Sequence, residues 1–95
     1  MSERMIVAKF GGTSVADSAQ IRKVGEIVRN SPDRRFIVVS APGKRFPDDI
    51  KVTDLLLKCY ERASEGEPFT EYLDDIRLRF REIIEGLAIS FPLDE

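Results

Sequence analysis

Apolar and polar positions divide the chain into five patterned segments, separated by Gly, Pro and Asn. Met5 to Phe10 is a short apolar run that ends in Gly11-Gly12. It is about one strand long, which predicts a strand buried on both faces rather than a piece of helix. From Ser18 to about Arg29, Ile21, Val24, Ile27 and Val28 share one face while Arg22, Lys23, Glu26 and Arg29 fall elsewhere. That spacing predicts an amphipathic helix. Asp17 is its expected N-cap, with Gln20 three residues on, and Asn30-Ser31-Pro32 ends it, because the residue before proline is disfavoured in the α region. Arg35 to Ser40 is a continuous apolar run, expected as an inner strand of a parallel sheet. Strand, helix and strand make a βαβ unit of right-handed sense.

Ala41-Pro42-Gly43 opens a polar loop that runs to about Val52. It leaves the carboxyl end of a strand, where open α/β sheets place their ligands. Thr53 is the expected N-cap of a second helix with Asp54 in its first turn, Leu55, Leu56, Cys59 and Ala63 on one face, and Gly66 as its stop. Pro68 suits the first turn of a third helix, running to about Gly86. Phe69, Leu73, Ile76, Phe80, Ile83, Ile84 and Leu87 form its apolar stripe. Asp74, Asp75, Arg77, Arg79, Arg81 and Glu82 are expected to cover the solvent side. The last two helices are expected to form an antiparallel pair.

The order β-α-β-loop-α-α has only two strong strands. A two-stranded parallel sheet cannot cover itself on both faces. The expectation is therefore an N-terminal portion of a larger α/β domain, or a chain whose partners complete its sheet. The residues after Gly86 look unfinished, in keeping with that expectation.

Composition narrows the function classes. With 95 residues the chain is one domain at most. A net charge of −2 leaves no basic footprint for nucleic acid or an anionic membrane. No apolar run approaches the ~20 residues of a membrane span. Met1-Ser2-Glu3-Arg4 leads straight into the first strand without a signal-peptide pattern. The single cysteine, Cys59, makes an internal disulfide framework impossible and fits a reducing cytosol; it reads as a small core residue rather than a nucleophile. The absence of histidine removes His-based triads, His metal sites and His general bases.

The chemistry points to Lys9-Phe10-Gly11-Gly12-Thr13-Ser14-Val15. A lysine at a strand end, two glycines that admit an anionic oxygen to their N–H groups, and the N-terminal end of the next helix make a plausible phosphate cradle. The stretch lacks the spacing of the Walker loop and of the dinucleotide-binding turn. Ser40 and Thr53 are small hydroxyl residues at a strand end and a helix start. The loop that joins them opens on the same sheet edge, where donors could hold a carboxylate or amino group beside a phosphate.

Lys9 to Val15, followed by Ala16-Asp17, resembles the N-terminal signature of aspartokinases, within the amino acid kinase family. Val38-Val39-Ser40-Ala41-Pro42-Gly43, followed by Thr53-Asp54-Leu55-Leu56, is similar to the family's second block. The resemblance runs from about Ile6 to Leu57, with a helical hairpin beyond. It implies that residues 1–95 are the N-terminal part of an amino acid kinase-like αβα sandwich with a mainly parallel sheet. It also implies transfer of the γ-phosphoryl group of ATP, with Mg2+ carried by the nucleotide, to the β-carboxylate of L-aspartate, on the route to lysine, threonine and methionine.

By the same resemblance, Lys9 contacts the transferring phosphoryl group, Phe10, Gly11 and Gly12 form the phosphate loop, and Thr13 and Ser14 support it. Ser40 and Thr53 contact the aspartate. A cytoplasmic homo-oligomer is implied for the full-length protein, with no nucleic-acid or membrane partner. The loop between Gly43 and Thr53 is longer than in many aspartokinases; Phe46 to Lys51 looks like an insertion seen in one branch. The acidic substrate-binding residue, the nucleotide-base pocket, a second phosphate-contacting lysine and the ACT regulatory domains of the family lie downstream of Glu95, so the 95 residues alone are expected not to catalyse.

Each residue also has a plainer reading. Lys9 can be a surface lysine, Gly11-Gly12 a tight turn, Ser40 a strand end and Thr53 a helix cap. Lys44-Arg45 and Asp48-Asp49 read as solvated loop charges. The functional alternatives are another amino acid kinase, acting on glutamate, acetylglutamate or carbamate, and a non-catalytic fragment. The Thr13-Ser14-Val15 continuation argues against those other kinases.

Overall fold

The computed structural model describes residues 4–94; Met1-Ser2-Glu3, read above as the lead into the first strand, and Glu95 lie outside the described residues. Strand β1 (Ile6–Phe10) and strand β2 (Arg34–Val39) pair in parallel, with Lys9 opposite Val38 and Phe10 opposite Val39. The register slips between Ile6 and Val7, so that Ile6 faces Arg34 and Val7 faces Phe36. Helix α1 (Ser18–Arg29) crosses between the strands. Asp17 caps it as expected, its carboxylate accepting the Gln20 N–H at 2.9 Å. Between β1 and α1 lies a short 3-10 turn, Gly12–Val15, which pushes the start of the α-helix back to Ser18.

Helix α2 (Val52–Ser64) ends on a Schellman motif. The Glu67 N–H bonds the Arg62 carbonyl at 2.8 Å and the Gly66 N–H bonds Ala63 at 3.1 Å, with Gly66 at φ +72°. Gly66 is thus the stop that its position predicts. Helix α3 (Thr70–Leu87) closes with the same hydrogen-bond pattern, but its left-handed residue is Ala88, at φ 54°. Gly86 lies inside α3 and serves a different purpose. A Cβ there would sit 2.2 Å from Ser18 Oγ, so its bare backbone is what lets α3 approach α1.

The buried hydrophobic side chains of the core are Val15, Ala16, Val52, Leu55, Ile76 and Ile83. They come from the turn, α2 and α3, which places the core under the loops rather than on the sheet. Expectations about burial need correction here. The strands are not buried on both faces: Val7, Phe36, Ile37, Val38 and Val39 are exposed, and they fall on both sides of the sheet because successive side chains alternate. Among the described residues β2 has a strand neighbour on one edge only, so its apolar composition is that of an inner strand without an inner strand's surroundings. Leu56 is exposed rather than sharing the buried face of Leu55. Arg79, expected on the solvent side of α3, is 5% exposed and belongs to the core.

Candidate functional site

Parallel pairing brings the carboxyl ends of β1 and β2 to one edge, where Ser40 donates its N–H to the Phe10 carbonyl at 3.2 Å. The chain then diverges into two loops that meet again at a pair of glycines. The Gly43 N–H donates to the Gly12 carbonyl at 2.8 Å. A Cβ on Gly43 would lie 2.7 Å from the Gly12 carbonyl carbon, and one on Gly12 would lie 3.1 Å from the Gly43 Cα. Both positions therefore need glycine for close backbone approach. Gly11 has open space where a Cβ would stand. The start of α2 is tied to the same loop by the Val52 N–H, which donates to the Pro42 carbonyl at 3.1 Å.

These contacts leave a cleft of about 340 Å3 lined by Gly12, Thr13, the segment Ser40–Lys44, Lys51 and Thr53. Of the residues singled out by sequence, Gly12, Thr13, Ser40 and Thr53 meet in it. Lys9, Phe10, Gly11 and Ser14 do not line it. Lys9 is exposed on the side of β1 that carries Val7, and alternation puts Phe10 on the opposite, half-buried side. Ser14 closes the 3-10 turn through its N–H to the Gly11 carbonyl at 3.0 Å.

Two local expectations change. Thr53 is not the cap of α2. Burial of Val52 and its bond to Pro42 start the helix one residue earlier, Lys51 takes the N-cap position, and Thr53 stands in the first turn beside the cleft. The next α-helix also does not aim free N-terminal donors at the glycine loop. The 3-10 turn intervenes, and the Asp17 carboxylate occupies the end of α1. The Gly12 and Thr13 N–H groups, which open the 3-10 turn and have no partner within it, are the donors left at this point.

Lys44, read above as a solvated loop charge, and Lys51, read as part of an insertion, both line the cleft. Their signal was positional, since both lie within the loop that leaves the carboxyl end of β2. With two lysines and no carboxylate among its lining residues, the cleft favours an anion.

Behind the cleft lies an ionic cluster in which the Arg79 and Asp49 side chains are shielded while Arg45 stays partly exposed. Asp49 accepts from Arg45 Nε at 2.7 Å, from Arg45 Nη2 at 2.9 Å and from the Arg45 N–H at 2.9 Å. This bidentate pairing, above all the Arg45 side-chain hydrogen bond, holds the Asp49 carboxyl well below the usual carboxylate range. The same bond raises the Arg45 pKa. Arg79 Nη1 lies 3.7 Å from Asp49 Oδ2, and burial pushes the Arg79 pKa down from its ordinary value. Asp49 is thus no solvated loop charge: its side chain is 8% exposed. Arg79 follows Ile76 by three residues and precedes Ile83 by four, so helical spacing had already placed it on the apolar stripe. Its charge, read as a mark of solvent, masked that signal. Among the described residues, no three His, Cys, Asp or Glu side chains are grouped to hold a metal ion.

The fold and cleft define an α/β unit that presents a pair of glycine-containing loops at the carboxyl edge of parallel strands. Known proteins carry the same unit. The chain is 55% identical over 91 residues to aspartokinase 3 of Bacillus subtilis, covering 96% of this chain and 20% of that protein. It is 40% identical over 87 residues to the lysine-sensitive aspartokinase 3 of Escherichia coli, covering 92% and 17%. The crystal structure of Clostridium acetobutylicum aspartate kinase superposes with a TM-score of 0.89 at 42% identity, over 93% of this chain and 20% of that one. No protein-family model matches the chain. The chain belongs to the aspartokinase family and matches its N-terminal segment; it spans about a fifth of the length of the relatives named here.

Proposed function

We propose that this segment supplies the phosphate loop and the amino-acid-facing wall of an aspartate kinase active site. The reaction is phosphorylation of L-aspartate by MgATP. A β-carboxylate oxygen attacks the γ-phosphorus and a new P–O bond forms. The bond to the β,γ-bridging oxygen breaks, and its electron pair leaves with ADP. The product is 4-phospho-L-aspartate, an acyl phosphate, with no covalent enzyme intermediate.

One observation carries this reading. A single lysine-rimmed cleft gathers Gly12 and Thr13 from the first motif with Ser40, Gly43 and Thr53 from the second. By the family resemblance the N–H groups of Gly11 and Gly12 donate to the transferring oxygens, with Gly12 in the cleft lining and Gly11 just before it, while Thr13 and Ser14 hold the loop. Lys9 reaches the γ-phosphoryl group on its flexible stem and neutralises the charge that develops there. Ser40 and Thr53 hydrogen-bond the aspartate. Mg2+ arrives with the nucleotide and shields its phosphate charge. On this reading residues 1–95 are the first part of the catalytic domain. The base pocket, the remaining sheet and the ACT regulatory domains belong to the rest of a cytoplasmic, homo-oligomeric enzyme that feeds lysine, threonine and methionine synthesis.

The full-length protein containing this segment tests the proposal, assayed with MgATP and L-aspartate while hydroxylamine traps the acyl phosphate. Aspartate-dependent turnover is expected. Lys9→Ala lowers kcat by about a hundredfold or more, the scale seen when a transition-state charge contact is lost, with thermal stability unchanged because the side chain is exposed. Folded wild-type protein without turnover, or one that prefers glutamate, acetylglutamate or carbamate, overturns the reading.

A further inference from the structure

The walls of the cleft are separate pieces of chain, and one side chain fastens them from behind. Arg79 Nη2 donates to the Gly43 carbonyl at 2.7 Å and to the Ala16 carbonyl at 3.5 Å, and Nη1 donates to the Ile50 carbonyl at 2.8 Å. Ala16 directly follows the 3-10 turn that carries Gly12 and Thr13. Gly43 stands three residues beyond Ser40 and touches Gly12. Ile50 precedes Lys51 and Thr53 at the start of α2. Each wall of the cleft is therefore anchored, within a few residues, to one guanidinium. Arg79 itself is not among the residues that line the cleft.

We infer that Arg79 is a positioning residue which sets the separation of the phosphate loop from the amino-acid-binding loop. This rests on the aspartate kinase reading above. A guanidinium is planar, with its donors in a fixed fork, so the carbonyls it binds are held at fixed mutual positions. A lysine ammonium is a compact charge on a mobile stem and cannot reproduce that fork. Asp49 and Arg45 extend the device: Asp49 supplies the counter-charge, and Arg45 clamps Asp49. Two of the three anchored carbonyls, those of Gly43 and Ile50, flank the residues assigned to aspartate. Misalignment should therefore be felt by aspartate more than by the nucleotide.

The test uses the full-length protein as wild type, Arg79→Lys, Arg79→Ala and, as a control on the exposed side of α3, Arg77→Ala. The kcat and the KM for aspartate and for MgATP are measured together with circular dichroism and thermal unfolding. Arg79→Lys is expected to stay folded and to lose about tenfold to a hundredfold in kcat/KM for aspartate, the range that small misplacement of reacting groups produces. Its KM for MgATP is expected to be nearly unchanged. Millimolar guanidinium is expected to restore part of the activity of Arg79→Ala, and equal ammonium is not. Arg77→Ala is expected to match wild type.

An active wild type with an Arg79→Lys variant that keeps wild-type constants overturns this inference alone. The same holds if activity lost in Arg79→Ala merely tracks the unfolded fraction and guanidinium does not restore it. If Arg79→Ala does not fold, Arg79→Lys decides. A wild type without aspartate-dependent turnover overturns the functional reading, and this inference with it.

Discussion

The backbone N–H of Gly43 is hydrogen-bonded to the carbonyl of Gly12 at 2.8 Å, and each glycine occupies space that a side chain on the other would need. The two sequence motifs are thereby locked together by main chain alone. Gly43→Ala would place a Cβ 2.7 Å from the Gly12 carbonyl carbon and 3.0 Å from the Thr13 nitrogen, both backbone atoms that cannot rotate away. The loops must part, at a cost of about 1–3 kcal/mol. Gly11→Ala meets open space and should change stability by no more than about 0.5 kcal/mol. Thermal or denaturant unfolding of the two full-length variants checks the contrast. Equal stability would mean that the glycine contact does not hold the loops.

Thr53 stands in the first turn of α2, not at its cap, and its hydroxyl meets no hydrogen-bond partner among the described residues. Thr53→Val keeps the shape and removes the hydroxyl, so helix stability should hardly move. The KM for aspartate is expected to rise about tenfold, the value of one hydrogen bond to a charged substrate, while that for MgATP stays nearly constant. A loss of stability with unchanged KM would return Thr53 to a structural role.

The elements themselves were largely legible. Asp17 and Pro32 bracket α1, and both act locally through backbone geometry that neighbours cannot override. Gly66 stops α2 for the same reason. Burial was less legible. Phe36 to Val39 reads as an inner strand, but exposure depends on what packs alongside, and no strand encodes its neighbours. In the candidate site, Gly12 and Ser40 were found through their motifs. Lys44 was read as a solvated loop charge and Lys51 as part of an insertion, because a lysine in a loop usually points to solvent. Arg79 and Asp49 were misplaced because each looks like a surface charge alone and becomes a core residue only with its partner. The third helix was expected to run to about Gly86 and ends at Leu87, but the contact of Gly86 with Ser18 is tertiary and left no local signal.

The Asp49 pairing makes a prediction about acid stability. Its carboxyl titrates below its unfolded value when folded, chiefly through the hydrogen bond from Arg45. A depressed carboxylate stabilises fully above its unfolded pKa, and that contribution is lost as pH falls through the folded value. The stability difference between wild type and Asp49→Asn should therefore be constant above about pH 5 and shrink below about pH 4, the unfolded carboxylate value. Because the side chain is 8% exposed, added salt should reduce the difference only modestly. Unfolding curves of both full-length proteins across this range provide the measurement. A difference independent of pH would show that Asp49 acts through packing rather than charge.

Gly86 and Ser18 give the sharpest test of how α3 is seated on α1. A Cβ on Gly86 would lie 2.2 Å from Ser18 Oγ and 2.6 Å from Ser18 Cβ. Rotating the hydroxyl relieves the first contact but not the second. The Gly86 carbonyl also accepts from Arg22 of α1, so any separation of the helices strains that bond. Inside a helix, Gly→Ala normally gains about 1 kcal/mol from propensity. Here the overlap, worth about 1–3 kcal/mol, should exceed that gain, and Gly86→Ala should destabilise. Ser18→Gly removes both obstructing atoms, at some cost in helix propensity at the start of α1. With the obstruction gone, Gly86→Ala should become stabilising. A double-mutant cycle followed by denaturant unfolding of the full-length protein should then show a coupling of about 1 kcal/mol or more between the two sites. Additive single changes would mean that α1 and α3 do not meet at this pair.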